Sequence, residues 1–334
     1  MDTKMLLEFS AQTEIIRVSM ERLETGSDGP FSMSYAFDPS PLSLSINKVG
    51  LINPPIIREG EQSQLDIVAG YRRIEALKSL GRQEVPCKIL PASTPPLECL
   101  LLNLYDNLVA RTFNDVEKGM VLNRLKRFIS QDSLVGHYMP LLDLPPRISI
   151  LTYYTALEKL ESPLKRGVAE KRLSTQTVRA LQGRDHSTRI ALVEWIDMLN
   201  LNFNQQRQFI EYIDDIRVKD ELSVPGLLGQ EEILKIMQEG KINPPQKAKM
   251  VLEYLRHRRF PRLSQAEKNF LERVSRLRLP KGCGIRHPPY FEGSDYLLEI
   301  VFKDGRTLMQ KIDELALTGG LRNICDPDEI NGPG

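Results

Sequence analysis

An apolar run that meets a glycine and turns at once into a basic, periodic segment sets the first constraint on this chain: Ile67-Val68-Ala69-Gly70-Tyr71-Arg72-Arg73-Ile74-Glu75-Ala76. The run Leu65 to Val68 reads as a strand, and Tyr71 to Leu80 as a helix that stops at Gly81. Pro55 to Arg58 and Val85 to Ile89 supply two further short strands, and Leu42 to Val49 is apolar-periodic after a Gly, Ser and Pro-rich stretch at 25–41. Short strands mixed with helices over so few residues define a small α+β domain.

The chain then changes character. After Pro91 to Pro96, Leu97 to Leu108 and Asp115 to Ile129 carry helical periodicity, with Asn114 placed as N-cap and Glu117 as its capping-box partner. From Ser130 to about Asp220 a series of short helices follows with no strand signal, which is what a helix-turn-helix domain requires. In it Tyr138 to Leu144 would be the first helix, Pro145-Pro146 the turn and Ile148 to Leu160 the recognition helix. Glycines and prolines mark a hinge around Glu231 to Gln238, before two basic helices, Gln246 to Arg258 and Ser264 to Arg278. Near the end, Tyr296 to Phe302 reads as a strand, Lys303-Asp304-Gly305-Arg306 as a hairpin turn, Thr307 to Gln310 as the return strand and Lys311 to Leu317 as a closing helix. So small a module must pack on a neighbour or on a second copy of itself. The expected divisions are an extension over 1–40, an α+β domain over 41–130, an all-α helix-turn-helix domain over 131–222, a basic connector over 223–285 and a small hairpin and helix dimerisation module over 286–334.

Composition removes several classes. With 334 residues, 41% hydrophobic and 27% charged, the chain is neither disordered nor fibrous. No run of about 18 apolar residues predicts a membrane span, and the N-terminus lacks the pattern of a secretory signal. Cys87, Cys99, Cys283 and Cys325 fit neither a zinc site nor a disulfide framework, so the expected compartment is the cytoplasm. The net charge of +1 hides segregation: residues 147–189 hold nine basic and four acidic side chains, and 241–290 hold 13 basic and three acidic. Basic blocks of this kind attract a polyanion, most simply nucleic acid, although solvated helical faces would look the same.

Gly70, Arg72 and Arg73 have the chemistry of a phosphate site, because amides at a helix N-terminus and guanidiniums both favour an anion. The alternative is a helix start whose arginines pair with nearby carboxylates. Here the sequence resembles a family. Val49-Gly50-Leu51-Ile52-Asn53-Pro54-Pro55-Ile56-Ile57-Arg58, the Ile67 to Ala76 run, Val85-Pro86-Cys87, and Asp106-Asn107-Leu108 with Asn114 and Glu117 are similar, in order and spacing, to successive boxes of the ParB N-terminal domain. The resemblance continues through Leu164 to Leu181 and, more weakly, into the last 40 residues.

The resemblance implies a ParB/sulfiredoxin-like fold, binding of CTP with Mg²⁺, recognition of a centromere-like DNA site by the helix-turn-helix, and a homodimer that closes into a clamp. It implies a nucleotide site of Gly50, Leu51, Asn53, Gly70, Tyr71, Arg72, Arg73, Asp106 and Asn107, with Asp106 and Asn107 near the metal. It further implies a role in chromosome or plasmid partition or related transcriptional control, a nucleoid-associated cytoplasmic location, a ParA-type ATPase as partner, and no membrane. Tyr71 stands where the family usually has Glu, Asp106 where it usually has Glu, and Val109 and Ala110 replace its Gln and Arg, with Arg111 displaced by one position. At most a weak CTPase is therefore expected. Two other readings stay open: a DNA-binding homologue that no longer uses nucleotide, and a small-molecule kinase or nuclease on the same fold. Sulfiredoxin chemistry is disfavoured, since no thiol adjoins Arg72.

For DNA, the candidates are Arg147, Thr152, Tyr153, Thr155 and Lys159 on the recognition helix, Lys165, Arg166, Lys171 and Arg172 beyond it, and Arg256, Arg258, Arg259 and Arg262 in the second basic block. Tyr153 and Tyr154 read equally as core or contact. Five phosphate contacts by the second block would give a slope of log affinity against log salt of about −4 to −5.

Overall fold

The structure is a computed structural model that describes residues 14–23, 29–60, 64–292, 295–321 and 324. The N-terminal residues read for a signal pattern and Cys325 lie outside them. Two compact units divide between Arg184 and Asp185.

The first unit is built on a four-stranded sheet of order β1-β4-β2-β3, from β1 (Ile15–Ser19), β2 (Ile56–Glu59), β3 (Leu65–Ala69) and β4 (Glu84–Leu90). β1 pairs antiparallel with β4, β4 runs parallel to β2, and β2 pairs antiparallel with β3. β1 has no counterpart among the expected strands. The expected extension over 1–40 is corrected accordingly: it supplies β1, and its Phe31 and Met33 are buried in the core. The reason is that five residues with only Val18 fully buried give too short an apolar alternation to stand out in the sequence.

β3 ends on Gly70, whose φ of +97° caps α2 (Tyr71–Ser79) in the left-handed region. A Cβ at Gly70 would lie 3.0 Å from Pro55, so backbone conformation and space both demand glycine. On α2, Tyr71, Ile74 and Leu77 recur every three residues and are buried on one face. Four more elements complete the frame around the sheet: α1 (Ser40–Val49), α3 (Pro96–Ala110), α4 (Asp115–Leu125) and the short turn α5 (Gln131–Ser133). The predicted capping box of α4 is present, with Asn114 accepting from the Glu117 amide and Glu117 accepting from the Asn114 amide, both at 3.0 Å. A π-helical segment over Leu134–Tyr138 links α5 to α6 (Met139–Leu141), and α7 (Ile148–Leu157), α8 (Ser162–Ala169) and α9 (Thr175–Gln182) follow.

One hydrophobic cluster joins Phe31, Val68, Leu100, Leu104, Val121 and Leu125 to Leu134, Met139 and Leu151, and a second joins Val18, Ile57, Ile67, Ile74, Val85 and Cys87. The expected boundary at 130/131 thus falls inside a shared core, because Leu134 and Met139 are wholly buried against α3 and α4 residues. α7 lies close on α4 at Gly119, where a Cβ would collide with the Tyr154 carbonyl. Asn123 donates to the Thr155 carbonyl and to Glu158, and Arg124 pairs with Glu158 at 3.1 Å.

The second unit is mostly helical: α10 (His186–Met198), α11 (Phe203–Lys219), α12 (Val224–Leu228), α13 (Glu231–Gln238), α14 (Pro244–Arg259) and α15 (Pro261–Arg276). Phe209, Ile213 and Ile216 of α11 and Val251 and Leu255 of α14 are buried on their helices. β5 (Cys283–Arg286) pairs antiparallel with β6 (Leu297–Ile300), and α16 (Gly305–Ala316) closes the described chain. The expected hairpin across Asp304-Gly305 is corrected here: Asp304 is an N-cap, its carboxylate accepting from the Thr307 amide at 2.8 Å, and Thr307 to Gln310 are helical. An Asp three residues before a Thr serves a turn and a helix start equally well, and the true partner of β6 lies upstream. Leu297, Leu298, Val301 and Phe302 around β6, and Met309 and Ile312 of α16, remain exposed.

Candidate functional site: a basic cleft at the start of α2

The glycine turn brings Arg72 and Arg73 to the mouth of a cleft of about 340 Å³, within the size range of small-molecule sites. Asn53, Gly70, Tyr71, Arg72, Arg73, Asp106 and Asn107 line it together, although they come from three separated boxes. Gly50 and Leu51 are not among its lining residues; Gly50 is the C-cap of α1. Tyr71 presents part of itself to the cleft but is 7% exposed and belongs to the sheet core, where Gly29 gives its ring room.

The arginines are held by protein acceptors. Arg73 donates to the Asn53 carbonyl at 2.9 Å and to Asp106 at 2.8 Å. Arg72 donates to the Ser34 hydroxyl at 2.9 Å and to Glu117 Oε1 at 2.8 Å, and its guanidinium lies over the Phe37 ring. Sequence reading missed Ser34, Arg111 and the deeper role of Glu117. Arg111, from the end of α3, donates to Glu117 Oε2 at 2.6 Å, to Asn107 Oδ1 and to the Met33 carbonyl. Glu117 is fully buried and accepts four donors: two guanidiniums and the amides of Tyr35 and Asn114. Burial pulls the Arg111 guanidinium below its ordinary pKa and Glu117 opposes that pull, while Arg72 adds to it. The one available signal was Arg111 itself, displaced by a single position from the family's arginine.

Asp106 is the single carboxylate among the lining residues, and it faces Arg73. The Asn107 amide oxygen already accepts from Arg111, so a cation there would draw on Asp106 and on oxygens of a bound ligand, a donor set that suits Mg²⁺. No cluster of three or more His, Cys, Asp or Glu able to hold a metal occurs among the described residues.

Arg147 at the N-cap of α7, Thr152 on it and Lys159 just past its end are exposed, whereas the Thr152 and Thr155 hydroxyls bond back to the Ile148 and Leu151 carbonyls. The Tyr154 hydroxyl donates to Asp115, and burial raises its pKa. Tyr153 carries Arg179 over its ring, and burial raises its pKa against a hydrogen bond with Thr175. Lys165 sits over the Tyr35 ring, Arg166 and Arg172 both pair with Glu170, and Lys171 is exposed.

The second basic block is largely matched within its own unit. Arg256 forms a two-pronged pair with Glu267, Arg258 reaches Asp220, and Arg259 reaches Glu211 and Asp215 while stacking over Tyr212 and Phe260. Arg262 is exposed and makes no ion pair among the described residues.

A mixed sheet with a glycine turn delivering two arginines into a polar cleft defines the class, and residues 7–105 match the family of the ParB N-terminal domain. This segment of the chain is a ParB N-terminal domain, set before a mostly helical remainder. Among curated relatives, a probable chromosome-partitioning protein ParB of Vibrio cholerae is 23% identical over 202 residues, 60% of this chain and 67% of that protein. A nucleoid occlusion protein of Bacillus cytotoxicus is 25% identical over 53% of this chain and 60% of its own length. A Neisseria meningitidis ParB reaches 30% over 129 residues, 44% of that protein. The chain thus spans roughly half to two thirds of these relatives. Truncated Caulobacter crescentus ParB complexed with CTP-gamma-S gives a TM-score of 0.26 at 21% identity, covering 55% of this chain and 98% of that one. The same protein complexed to the centromeric parS site gives 0.30 at 19% identity, covering 59% and 98%.

Proposed function

We propose that this chain is a DNA-binding protein of the ParB kind whose α2 cleft takes a nucleoside triphosphate, CTP by the resemblance of its boxes, and that it acts in chromosome partition or nucleoid occlusion as its relatives' names describe. The observation that carries this reading is the convergence of Asn53, Arg72, Arg73 and Asp106 on one cleft within a ParB N-terminal domain. Guanidinium donors suit phosphate oxygens, and an incoming triphosphate exchanges with the Asp106 carboxylate for Arg73. Asp106 released in this way is the group placed to hold Mg²⁺ beside the phosphates. DNA is read by a helix-turn-helix whose second helix is α7, through exposed Arg147, Thr152 and Lys159 and with Lys165, Lys171 and Arg172 near phosphates. The exposed apolar side chains of β6 and α16 form the homodimer contact.

Calorimetric titration of the full chain with CTP, ATP and GTP in Mg²⁺ tests the cleft. Binding of CTP is expected, weakened by about tenfold to a hundredfold in Arg73→Ala, the worth of a charge-assisted contact. No heat with any nucleotide overturns the nucleotide reading. It would leave the DNA-binding homologue without nucleotide, which the burial of Tyr71 at the position after Gly70 favours. Selection of bound sequences from random DNA tests the other half, and recovery of no preferred site overturns it.

A further inference from the structure

A second pocket lies in the first unit, between the loop at Pro30, β2, the start of α3 and the end of α4, and it shares no lining residue with the α2 cleft. Its volume is about 120 Å³, and its walls are Arg58, Arg124 and Arg127 with Phe31 and Phe128, closed by prolines and Leu100. Three guanidiniums therefore face one small space, and among the described residues no carboxylate lines it.

The three are differently engaged. Arg58 pairs with Asp66 at 3.0 Å, donates to the Thr94 carbonyl, lies over Phe31 and adjoins the buried Cys99 thiol, which burial pushes up to about 11, yet its Nε is buried without an acceptor among the described residues. Arg124 has a side chain only 8% exposed, and among the described residues it bonds through Nη1, to the Met120 carbonyl and Glu158, while its Nε is buried with no acceptor. Arg127 is exposed and forms no ion pair among the described residues. Leaving a buried guanidinium donor unmatched carries a desolvation penalty, and native structures rarely carry it without a use. Among the described residues, Asp66 and Glu158 offset two of the three charges and leave one positive charge at the pocket.

We propose that this pocket binds a compact oxyanion, a phosphate or carboxylate group, held by Arg124 and Arg127 against the Phe31 and Phe128 rings. The volume admits such a group with a few waters and excludes a nucleotide, whose sites begin at about 300 Å³. Guanidinium forks match the geometry of both oxyanions. Because Arg124 also holds Glu158 beyond α7, an anion here competes for the donor that fastens the end of that helix. The site stands independently of the nucleotide reading.

The test uses the full chain carrying Arg73→Ala, so that the α2 cleft does not report. Inorganic phosphate and acetate are titrated separately while arginine Nε–H resonances are followed by NMR, the Arg124 signal being assigned through Arg124→Lys. A saturable shift of that signal with either anion is expected, with affinity falling about tenfold in Arg127→Ala, the equivalent of one lost charge-assisted contact. Absence of a saturable shift with both anions, or equal affinity in Arg127→Ala, overturns the proposal. A short DNA duplex is the third arm: if it moves the signal where phosphate and acetate do not, the pocket serves the DNA backbone and a free oxyanion is overturned.

Discussion

At the start of α2, Arg72 and Arg111 share the buried carboxylate of Glu117 while Arg73 meets the half-exposed Asp106; at the end of α14, Arg256, Arg258 and Arg259 each meet carboxylates of neighbouring helices. Read from sequence, the first leaves open whether its arginines meet a phosphate or nearby carboxylates, and the second stands out as a cationic block. In the first, two guanidiniums divide one carboxylate, so charge is left over at a cleft. In the second, Glu211, Asp215, Asp220 and Glu267 stand within 3.0 Å of the arginines and the block is neutralised locally. Counting charges along a chain measures what is present, while packing decides what a ligand meets.

The largest break in this comparison comes from Glu117→Ala. It strands two guanidiniums, one of them with a side chain only 12% exposed, and the expected loss is about 3–5 kcal/mol of unfolding free energy by urea titration. A loss below about 1 kcal/mol would place the cleft carboxylate with ordinary surface pairs.

Gly119→Ala comes next. Its methyl has to displace the Tyr154 carbonyl, and overpacking of this kind costs about 1–3 kcal/mol. The thermal midpoint should fall accordingly, and an unchanged midpoint would mean that α4 and α7 are not in close contact.

A smaller effect separates the second region by pH. The Arg256 hydrogen bonds hold the Glu267 carboxyl below its usual range, so folding favours its ionised form. That contribution is complete above the unfolded value of about 4.3 and is lost as pH falls through the lower native value. Glu267→Gln should flatten stability against pH below about 4, and identical acid profiles would discount the pair.

The smallest expected change concerns salt. Arg262 is exposed and, among the described residues, makes no ion pair, so Arg262→Ala should reduce the slope of log DNA affinity against log salt by about 0.9, and Arg258→Ala should leave the slope unchanged while lowering stability. Equal slope changes would show that the pairs open on binding DNA.

Much of the first unit was legible because its signals are local: Gly70 between strand and helix, and the Asn114 and Glu117 box, are each settled within a few residues. β1 was not, since its pairing with β4 joins Ile15 to Lys88 across a long loop of chain. The cleft was half legible. Arg72, Arg73 and Asp106 lie in short boxes, but Ser34 reaches the site only through a hydrogen bond from Arg72 spanning 38 residues, and Arg111, besides its local bonds to Asn107 and Glu117, is tied to the Met33 carbonyl 78 residues away. The Asp304-Gly305 pair misled because the same side-chain acceptor that closes a turn also starts a helix.

Helix α4 is gripped at both ends. Its first turn carries Glu117, on which the cleft arginines close, and Asp115, which holds the Tyr154 hydroxyl; its last turns hold Glu158 through Asn123 and Arg124. It is in effect a single stiff spar shared by the cleft and α7. Neither can be re-angled alone: a substitution that tilts the spar to suit one site shifts the footing of the other.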